Sequence, residues 1–438
     1  MKISVIGFGY IGAVISAAFC KIGHKVIAID NNVNVINCLN SGKCHIPEPK
    51  LQEIICKQVE KGNLKGSLDF KDVSNCEVVL VTVGTPLSEN FDADLTAISD
   101  VFFQLSQNII DDQLIMIKST VPPGTTRKMY NTFKLDQKNI SVGFSPERLA
   151  EGNAIKELTE LPVIVGGVDD ASTEKCAEFW GSTLGVEVIK MSSCESAELV
   201  KLANNQWIDL NIALANELAL LCDALPYPLD VLEIIEGANS LKKGKHNVNI
   251  LQPSIGVGGY CLTKDPWFVA SLAKKNGLNL EIPRTSRSVN DKMPVNAANV
   301  ISNFYNKKNI NLNDLKIAIL GYSFKTNSGD IRFSPMQYFV ETMFRKGAKN
   351  IHIFDSSIGD DALEHSLAIR SHTWRDCLDG ATCVVYGTAH DDIKKILPSD
   401  LNELMTGDKL IYDGRRYFSL SEIKELKAMH FDYIGVGR

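Results

Sequence analysis

Short apolar runs broken by glycine or proline alternate with longer amphipathic stretches over most of the chain. Lys2–Ile6 is the first apolar run, and Gly7-Phe8-Gly9-Tyr10-Ile11-Gly12 follows at once. A helical stretch then covers Ala13–Ile22, and Lys25–Ile29 is a second strand that ends in Asp30. Glu77–Val83 reads as a buried strand cut off by Gly84-Thr85-Pro86, and Asp94–Asn108 as a helix. Leu114–Ser119 is a strand before Thr120-Val121-Pro122-Pro123-Gly124, and Ser141–Phe144 one that runs into Ser145-Pro146-Glu147-Arg148-Leu149-Ala150-Glu151-Gly152. Buried strands alternating with helical periodicity predict a parallel sheet covered by helices.

The pattern changes at Cys194–Cys222, which has neither Gly nor Pro and is rich in Leu and Ala on more than one face. It predicts a helix about 40 Å long, buried on several sides and so set between domains or between subunits of a dimer. Lys201 and Asn205 lie one turn apart on it, and Pro226 and Pro228 end it. Asp291–Asn303 reads as another helix before a polar linker, Asn306–Asn313. A second alternation follows: Leu315–Leu320, a helix over Met336–Phe344, Ile351–Phe354 ending at Asp355, Ala381–Tyr386, and Lys409–Tyr412 before Asp413-Gly414-Arg415-Arg416. The expected architecture is α/β, with two Rossmann-like doubly wound domains joined by a long central helix and boundaries at 1–193, 194–305 and 306–438.

Composition narrows the partners. The 438 residues are 45% hydrophobic and 22% charged, the makeup of a soluble globular protein of several domains. A formal net charge of −6 argues against nucleic acid or an anionic membrane as the main partner, while a local cation cluster still suffices for a small anion. Lys242, Lys243, Lys245 and His246 form one such cluster, which by itself reads more simply as a solvated loop. The 11 cysteines have no CxxC spacing; they read as reduced thiols of a cytoplasmic protein and lend no support to a metal site. Lys2 and the apolar run up to Ala17, Ala18 and Cys20 outline a signal peptide, but Gly7, Gly9 and Gly12 fit a different motif and another strand follows directly. No apolar run reaches the ~20 residues that span a bilayer.

Two stretches carry the chemistry. Strand, GxGxxG, helix, strand and acid within about 30 residues is the dinucleotide fingerprint. Gly7 makes the turn, Gly9 lets a pyrophosphate approach, Gly12 lets helix and strand pack, and Asp30 accepts from a ribose diol, which favours NAD over NADP. Thr85, Thr120, Glu147 and Glu151 follow strand ends, where ligands of open α/β sheets bind. The second stretch is Gln252–Trp267, where Gly256, Gly258 and Gly259 precede Cys261. Glycines let a backbone approach a ligand closely, a thiolate on such a loop is a nucleophile favoured by a cation such as Lys264, and Asp265 can move protons. Alone, Cys261 reads more readily as a small buried hydrophobe.

Taken together and in order, Gly7–Gly12, Gly84-Thr85-Pro86, Ser119–Gly124, Ser145–Gly152, Lys201–Asn205, the stretch around Cys261, Phe324–Arg332 and Asp413–Arg415 resemble the UDP-glucose/GDP-mannose dehydrogenase family over essentially the whole chain. The resemblance implies an NAD-dependent, four-electron oxidation of a nucleotide sugar's C6 alcohol to a carboxylate, by a homodimer formed through the central helix. It implies that Cys261 is the nucleophile, that Lys201 and Asn205 stabilise the oxyanion, that Asp265 acts as acid/base through a water with Thr120, and that Glu147 assists thioester hydrolysis. Besides the glycines and Asp30, it assigns Tyr10, Ile11, Thr85, Thr120, Glu151, Lys264 and Arg332 to the cofactor. Glu147, Arg148, Leu149, Lys201, Asn205, Gly258, Phe324, Lys325 and Arg415 fall to the nucleotide sugar. The run Val248–Pro253 and Asp265-Pro266-Trp267 look more like the branch acting on UDP-N-acetylmannosamine or UDP-N-acetylglucosamine, whereas Tyr260 and Leu262-Thr263-Lys264 depart from it. UDP-N-acetylmannosamine is the expected substrate, with UDP-N-acetylglucosamine and UDP-glucose as alternatives. A two-electron Rossmann dehydrogenase would need no cysteine and no second α/β unit; a non-catalytic binder would not need Cys261, Lys201, Asp265 and Glu147 together.

Overall fold

The computed structural model describes residues 1–46, 48–244, 246–359, 362–364 and 366–438. Lys245 and the side chain of His246, part of the expected basic cluster, lie outside the described residues. The chain divides into two compact units, Met1–Asn204 with Trp267–Leu278, and Asn205–Pro266 with Asn279–Arg438.

The first unit is built on a sheet of β1 (Lys2–Ile6), β2 (Lys25–Ile29), β3 (Leu64–Ser67), β4 (Val78–Val81), β5 (Leu114–Ile117), β6 (Ser141–Phe144), β7 (Val163–Gly167) and β8 (Val188–Lys190). Its order is β3-β2-β1-β4-β5-β6-β7-β8, parallel except between β6 and β7. Period-two alternation distributes each strand's side chains between two cores: Ile3 and Val5 of β1 and Leu80 of β4 pack with Val14 and Phe19 of helix Tyr10–Lys21, while Ile6, Val79 and Val81 pack with Phe102 and Leu105 of helix Thr96–Asn108. Strands covered on both faces are near-continuously apolar, as β4 and β5 are. β1 pairs with β2 on one side and β4 on the other, so the order reverses there and opens a crevice at the strands' carboxyl ends.

The second unit contains a two-stranded hairpin, β9 (Lys242–Lys243) and β10 (His246–Asn247), and a parallel sheet of β11 (Lys316–Leu320), β12 (Asn350–Phe354), β13 (Ile369–Arg370), β14 (Cys383–Tyr386), β15 (Leu410–Asp413) and β16 (Asp432–Gly435). The sheet order, β13-β12-β11-β14-β15-β16, repeats that of the first six strands of the other sheet. The long helix spans Cys194–Ala224, beginning in the first unit and ending in the second. Helix Glu281–Lys307 is longer than its apolar pattern suggests and reaches into the expected linker: Pro283 lies in its first turn, where no N–H is needed, and Pro294 is accommodated inside it. No described helix is long and apolar enough to cross a membrane.

Candidate active site

In the first unit the three glycines of the opening motif differ in what surrounds them. Gly7 has φ 91° and a Cβ there would meet Val83 N at 3.0 Å; at Gly12 it would meet the Gly7 carbonyl oxygen at 2.0 Å; at Gly9 it would meet nothing within 4 Å. Gly7 therefore serves the turn and Gly12 the helix–strand contact. Gly9 leaves room at the start of helix Tyr10–Lys21, where N–H groups without helical partners attract a pyrophosphate. Asp30 accepts from Phe8 N–H at 2.7 Å through Oδ2 and from Asn32 N–H at 2.9 Å through Oδ1. Being half-exposed, it keeps a lone pair on each oxygen for ribose hydroxyls. Tyr10 and Ile11 are half-buried on the helix's first turn. The residues fit NAD, the cofactor that the resemblance implies. Thr85 is buried and its hydroxyl donates to the Thr120 carbonyl at 2.6 Å, so its O–H fastens the loop after β4 to the loop after β5.

The loop after β6 carries Glu147, Arg148, Leu149 and Glu151. Glu147 Oε1 accepts from Leu149 N–H at 2.8 Å, and its Oε2 lies 3.4 Å from Lys118 Nζ. Lys118 was not singled out in the sequence, where it closes an apolar strand; it is buried, with the Trp180 ring 4.7 Å from Nζ. Burial pulls the Lys118 ammonium down, the neighbouring Glu147 carboxylate pulls it up, and Lys201 and Arg148 add like-charge repulsion; the net shift is downward. Glu147 thus stands beside a buried cation. The Arg148 guanidinium donates to the Pro162 carbonyl and so anchors the loop.

In the second unit the long helix turns a polar face inward. Asn205, Asp209 and Asn216, spaced by four and seven residues, are buried. Asp209 accepts from Arg287 Nη1 at 2.6 Å and Asn290 Nδ2 at 2.7 Å; Asn216 donates to Asn290 at 2.9 Å and accepts from Ser254 N–H at 2.8 Å. Asn211 bridges the Asn249 carbonyl and Leu251 N–H, both at 2.7 Å, and Asn239 holds Ile250 by its N–H and carbonyl at 2.7 and 2.9 Å. Side-chain amides thereby satisfy a backbone segment that belongs to no strand. The segment leads to Ile255, whose N–H donates to Gly414 O at 2.9 Å.

Cys261 was expected on a glycine-rich loop. It stands instead, exposed, in the first turn of helix Tyr260–Lys275, which continues through Pro266. A proline there removes one helical N–H without ending the helix. A helix start favours negative charge beside it. The preceding glycines were expected to admit a ligand. A Cβ at Gly256 would meet Pro335 at 2.8 Å, at Gly258 Phe324 Cβ at 2.6 Å, and at Gly259 the Phe324 ring at 2.6 Å. Their bareness seats the loop on the segment after β11. One turn beyond Cys261, Lys264 Nζ is 2.6 Å from Asp265 Oδ1, and Asn205 Nδ2 donates to Asp265 Oδ2; both charged residues are buried.

Phe324, Lys325 and Arg415, which the resemblance assigns to the nucleotide sugar, and Arg332, which it assigns to the cofactor, lie in this unit. Arg415 donates to the Gly387 carbonyl at 2.8 Å and the Phe324 carbonyl at 3.3 Å. Lys325 is half-buried, and exposed Arg332 pairs with Asp330 and lies 5.5 Å from the Tyr260 ring. Arg416, overlooked in the sequence, donates to Gln252 at 3.2 Å, while its Nε and Nη1 meet no acceptor among the described residues. Burial pushes both guanidinium groups down to about 10, so both remain cations at neutral pH. Cys261, Lys264, Asp265, Asn205, Gly258, Phe324 and Arg415 thus belong to the second unit. Thr120, Glu147, Arg148, Leu149, Glu151 and the NAD cradle belong to the first, with Lys201 one helical turn before Asn205.

Comparisons with known proteins agree along the whole chain. Three family models match in order: the UDP-glucose/GDP-mannose dehydrogenase NAD binding domain over residues 1–183, the central domain over 195–292, and the UDP binding domain over 318–419. A UDP-N-acetyl-D-mannosamine dehydrogenase of Pyrococcus horikoshii is 33% identical over 100% of this chain and 99% of its own. One from Campylobacter jejuni is 34% identical over 82% of this chain and 87% of its own. Among solved structures, UDP-D-ManNAc dehydrogenase from Pyrococcus horikoshii superposes with a TM-score of 0.89 at 31% identity, over 100% of this chain and 99% of that one. A UDP-glucose dehydrogenase from Pyrobaculum islandicum does so with 0.87 at 25%, over 100% and 97%.

Proposed function

The chain belongs to the UDP-glucose/GDP-mannose dehydrogenase family, and from that premise we propose that it oxidises the C6 alcohol of UDP-N-acetyl-D-mannosamine to the carboxylate through a covalent Cys261 intermediate. The observation that carries this reading is the exposed Cys261 thiol on a helix's first turn, with the buried Lys264–Asp265–Asn205 set one turn beyond it. The full-length relatives that bear the name UDP-N-acetyl-D-mannosamine dehydrogenase support the choice of sugar.

NAD supplies a hydride acceptor for each of two successive oxidations. Between them the Cys261 thiolate adds to the C6 aldehyde, forming a C–S bond and holding the reactive carbonyl in the site. Lys201 and Asn205 stabilise the oxyanion that this addition creates. The second oxidation leaves a thioester on Cys261. Water then adds to it with Glu147 assisting, the C–S bond breaks, and the thiol returns as the uronate leaves. Asp265 orients Asn205 and acts as acid/base through a water with Thr120. Phe324, Lys325 and Arg415 hold the nucleotide, and Arg416 brings a second cation to the same end. Each sugar consumes one water and yields two NADH. The decisive measurement is NADH formed per mole of sugar against UDP-N-acetylmannosamine, UDP-N-acetylglucosamine, UDP-glucose and GDP-mannose. Two on the first and none on the others is expected; one NADH with an aldehyde product would remove Cys261 from the mechanism.

The partner in this reading is a second copy of the chain, in the cytoplasm, where reducing conditions keep the thiols available. The outward face of the long helix supports it: Trp207, Leu210, Leu214 and Leu221 are exposed at steps of three, four and seven residues. An apolar stripe opposite a buried polar face calls for cover, and a twofold lets one helix cover its copy. Trp207→Glu should convert the dimer to monomer in sedimentation; a wild-type monomer at micromolar concentration would remove the dimer.

A further inference from the structure

Glu48 lies between helices Val33–Asn40 and Leu51–Glu60, outside every motif assigned above, and its carboxylate is buried. Oε2 accepts from the Tyr10 hydroxyl and from Gly152 N–H at 2.7 Å; Oε1 accepts from Ala154 N–H at 3.0 Å. Gly152 N also lies 3.3 Å from Tyr10 Oη. Tyr10 opens the helix that starts at the cofactor cradle, immediately after Gly9. Gly152 ends the loop that carries Glu147, Arg148 and Glu151. Burial and the Glu48 acceptor both hold the Tyr10 proton in place, so the phenol is the donor. A cap for helix Ala154–Glu157 would explain the bond to Ala154. It would not explain why the same carboxylate takes a phenol from the cradle and the Gly152 N–H on one oxygen.

We propose that Glu48 is a positioning residue that couples NAD in the glycine cradle to the placement of the loop Ser145–Gly152. Three donors converge on two oxygens, and hydrogen bonds to a charged acceptor are the strong ones. When the first turn of helix Tyr10–Lys21 is fixed by a pyrophosphate at Gly9, the Tyr10 hydroxyl is fixed with it, then the carboxylate, then the amides of Gly152 and Ala154. Glu147, Arg148 and Glu151 sit on the segment held in this way. What those three do in catalysis rests on the proposed function; the coupling itself needs only the cofactor.

The test is amide hydrogen exchange of the full chain with and without saturating NAD, in wild type, Glu48→Gln and Tyr10→Phe. In wild type, NAD should slow exchange across 149–154 about tenfold, the change expected of one charged hydrogen bond. Tyr10→Phe keeps the Glu48 bonds to Gly152 and Ala154, so its protection without NAD should match wild type, and the NAD-dependent part should disappear. Glu48→Gln should lose both. In turnover at saturating NAD, Tyr10→Phe should lower kcat about tenfold, with the KM for the sugar changed less than threefold. A purely structural Glu48 predicts NAD-dependent protection of 149–154 that survives in Tyr10→Phe, and that result overturns the proposal, as does its absence in wild type. Because the exchange arm contains no sugar, failure of the two-NADH yield would break the proposed reaction and leave this inference standing or falling by itself.

Discussion

Each sheet's first strand ends at a glycine whose N–H is held by the second strand: Gly7 by Ile29 O at 2.7 Å, Gly321 by Phe354 O at 2.8 Å. Both glycines have positive φ, 91° and 83°. In both, an acid at the end of the second strand takes the next N–H, Asp30 from Phe8 at 2.7 Å and Asp355 from Tyr322 at 2.8 Å. There the likeness ends. After Gly7 a helix begins at Tyr10 and Gly9 faces open space. After Gly321 the helix waits until Pro335, and the intervening chain fills the corner. Asp355 Oδ2 accepts from Ser323 N–H at 2.8 Å and from His390 Nε2 at 3.0 Å, while His390 Nδ1 accepts from Asn327 N–H at 2.9 Å. Strand order therefore does not decide where a nucleotide binds. The distance from glycine to helix start decides whether helix N–H groups stand at the corner. A helix that begins at once offers its N–H groups to a phosphate; a delayed one makes no such offer, and under the proposed function the nucleotide falls to Phe324, Lys325 and the Arg415–Arg416 turn.

The largest effects should come from giving both corners a side chain. Gly321→Val meets the Thr388 carbonyl at 2.3 Å in a left-handed backbone, so we expect a loss of more than about 3 kcal/mol and little soluble protein. Gly9→Val meets nothing, at φ −78°. It should melt as wild type does while binding NAD about 100-fold more weakly, because its side chain occupies the space of the pyrophosphate. Thermal melts and NAD titration read both; a Gly9→Val protein that binds NAD normally would place the cofactor elsewhere.

The first corner was legible in the sequence because each glycine meets a requirement written within a few residues of it. The loop before Cys261 was legible as glycines and misread as to cause: what needs their bareness is Phe324 and Pro335, more than sixty residues on. Lys118 hides at the end of an apolar strand, and Glu48 stands between two prolines with no local pattern to mark it. The stretch with β7, β8 and helix Asp170–Leu184 was not resolved by pattern either, since two of β7's five residues are Gly166 and Gly167. Gly166 is bare because a Cβ would meet the Ser193 carbonyl at 2.2 Å. The long helix was readable in extent, but not in which residues it buries: Asn205, Asp209 and Asn216 go inward beside Leu202, Ala215 and Ala219, and the Asp209 and Asn216 partners are Arg287 and Asn290. In each case the partner that explains the residue is distant in sequence.

The smaller effects separate the two acids. Asp30 is half-exposed, so in Asp30→Ala water can reach Phe8 N–H and Asn32 N–H. Stability should change by less than about 1 kcal/mol, and NAD affinity should fall about tenfold for the lost ribose bonds. Asp355 is buried, and Asp355→Ala strands Tyr322 N–H and Ser323 N–H together and takes one acceptor from His390 Nε2. That should cost about 3 kcal/mol with NAD affinity unchanged. Burial alone would push the Asp355 carboxyl up, but the hydrogen bond from His390, with the Ser323 and Tyr322 N–H groups, outweighs it and holds the carboxyl below its ordinary value. A carboxyl lowered on folding contributes stability that is present above its unfolded value, near about 4, and is lost as pH falls through the folded one. The cost of Asp355→Ala should therefore be level between about pH 6 and 8 and shrink only in stronger acid. A cost that already falls between pH 8 and 6 would show that the Asp355 carboxyl is not held low by these bonds, and the two acids would then differ in more than burial.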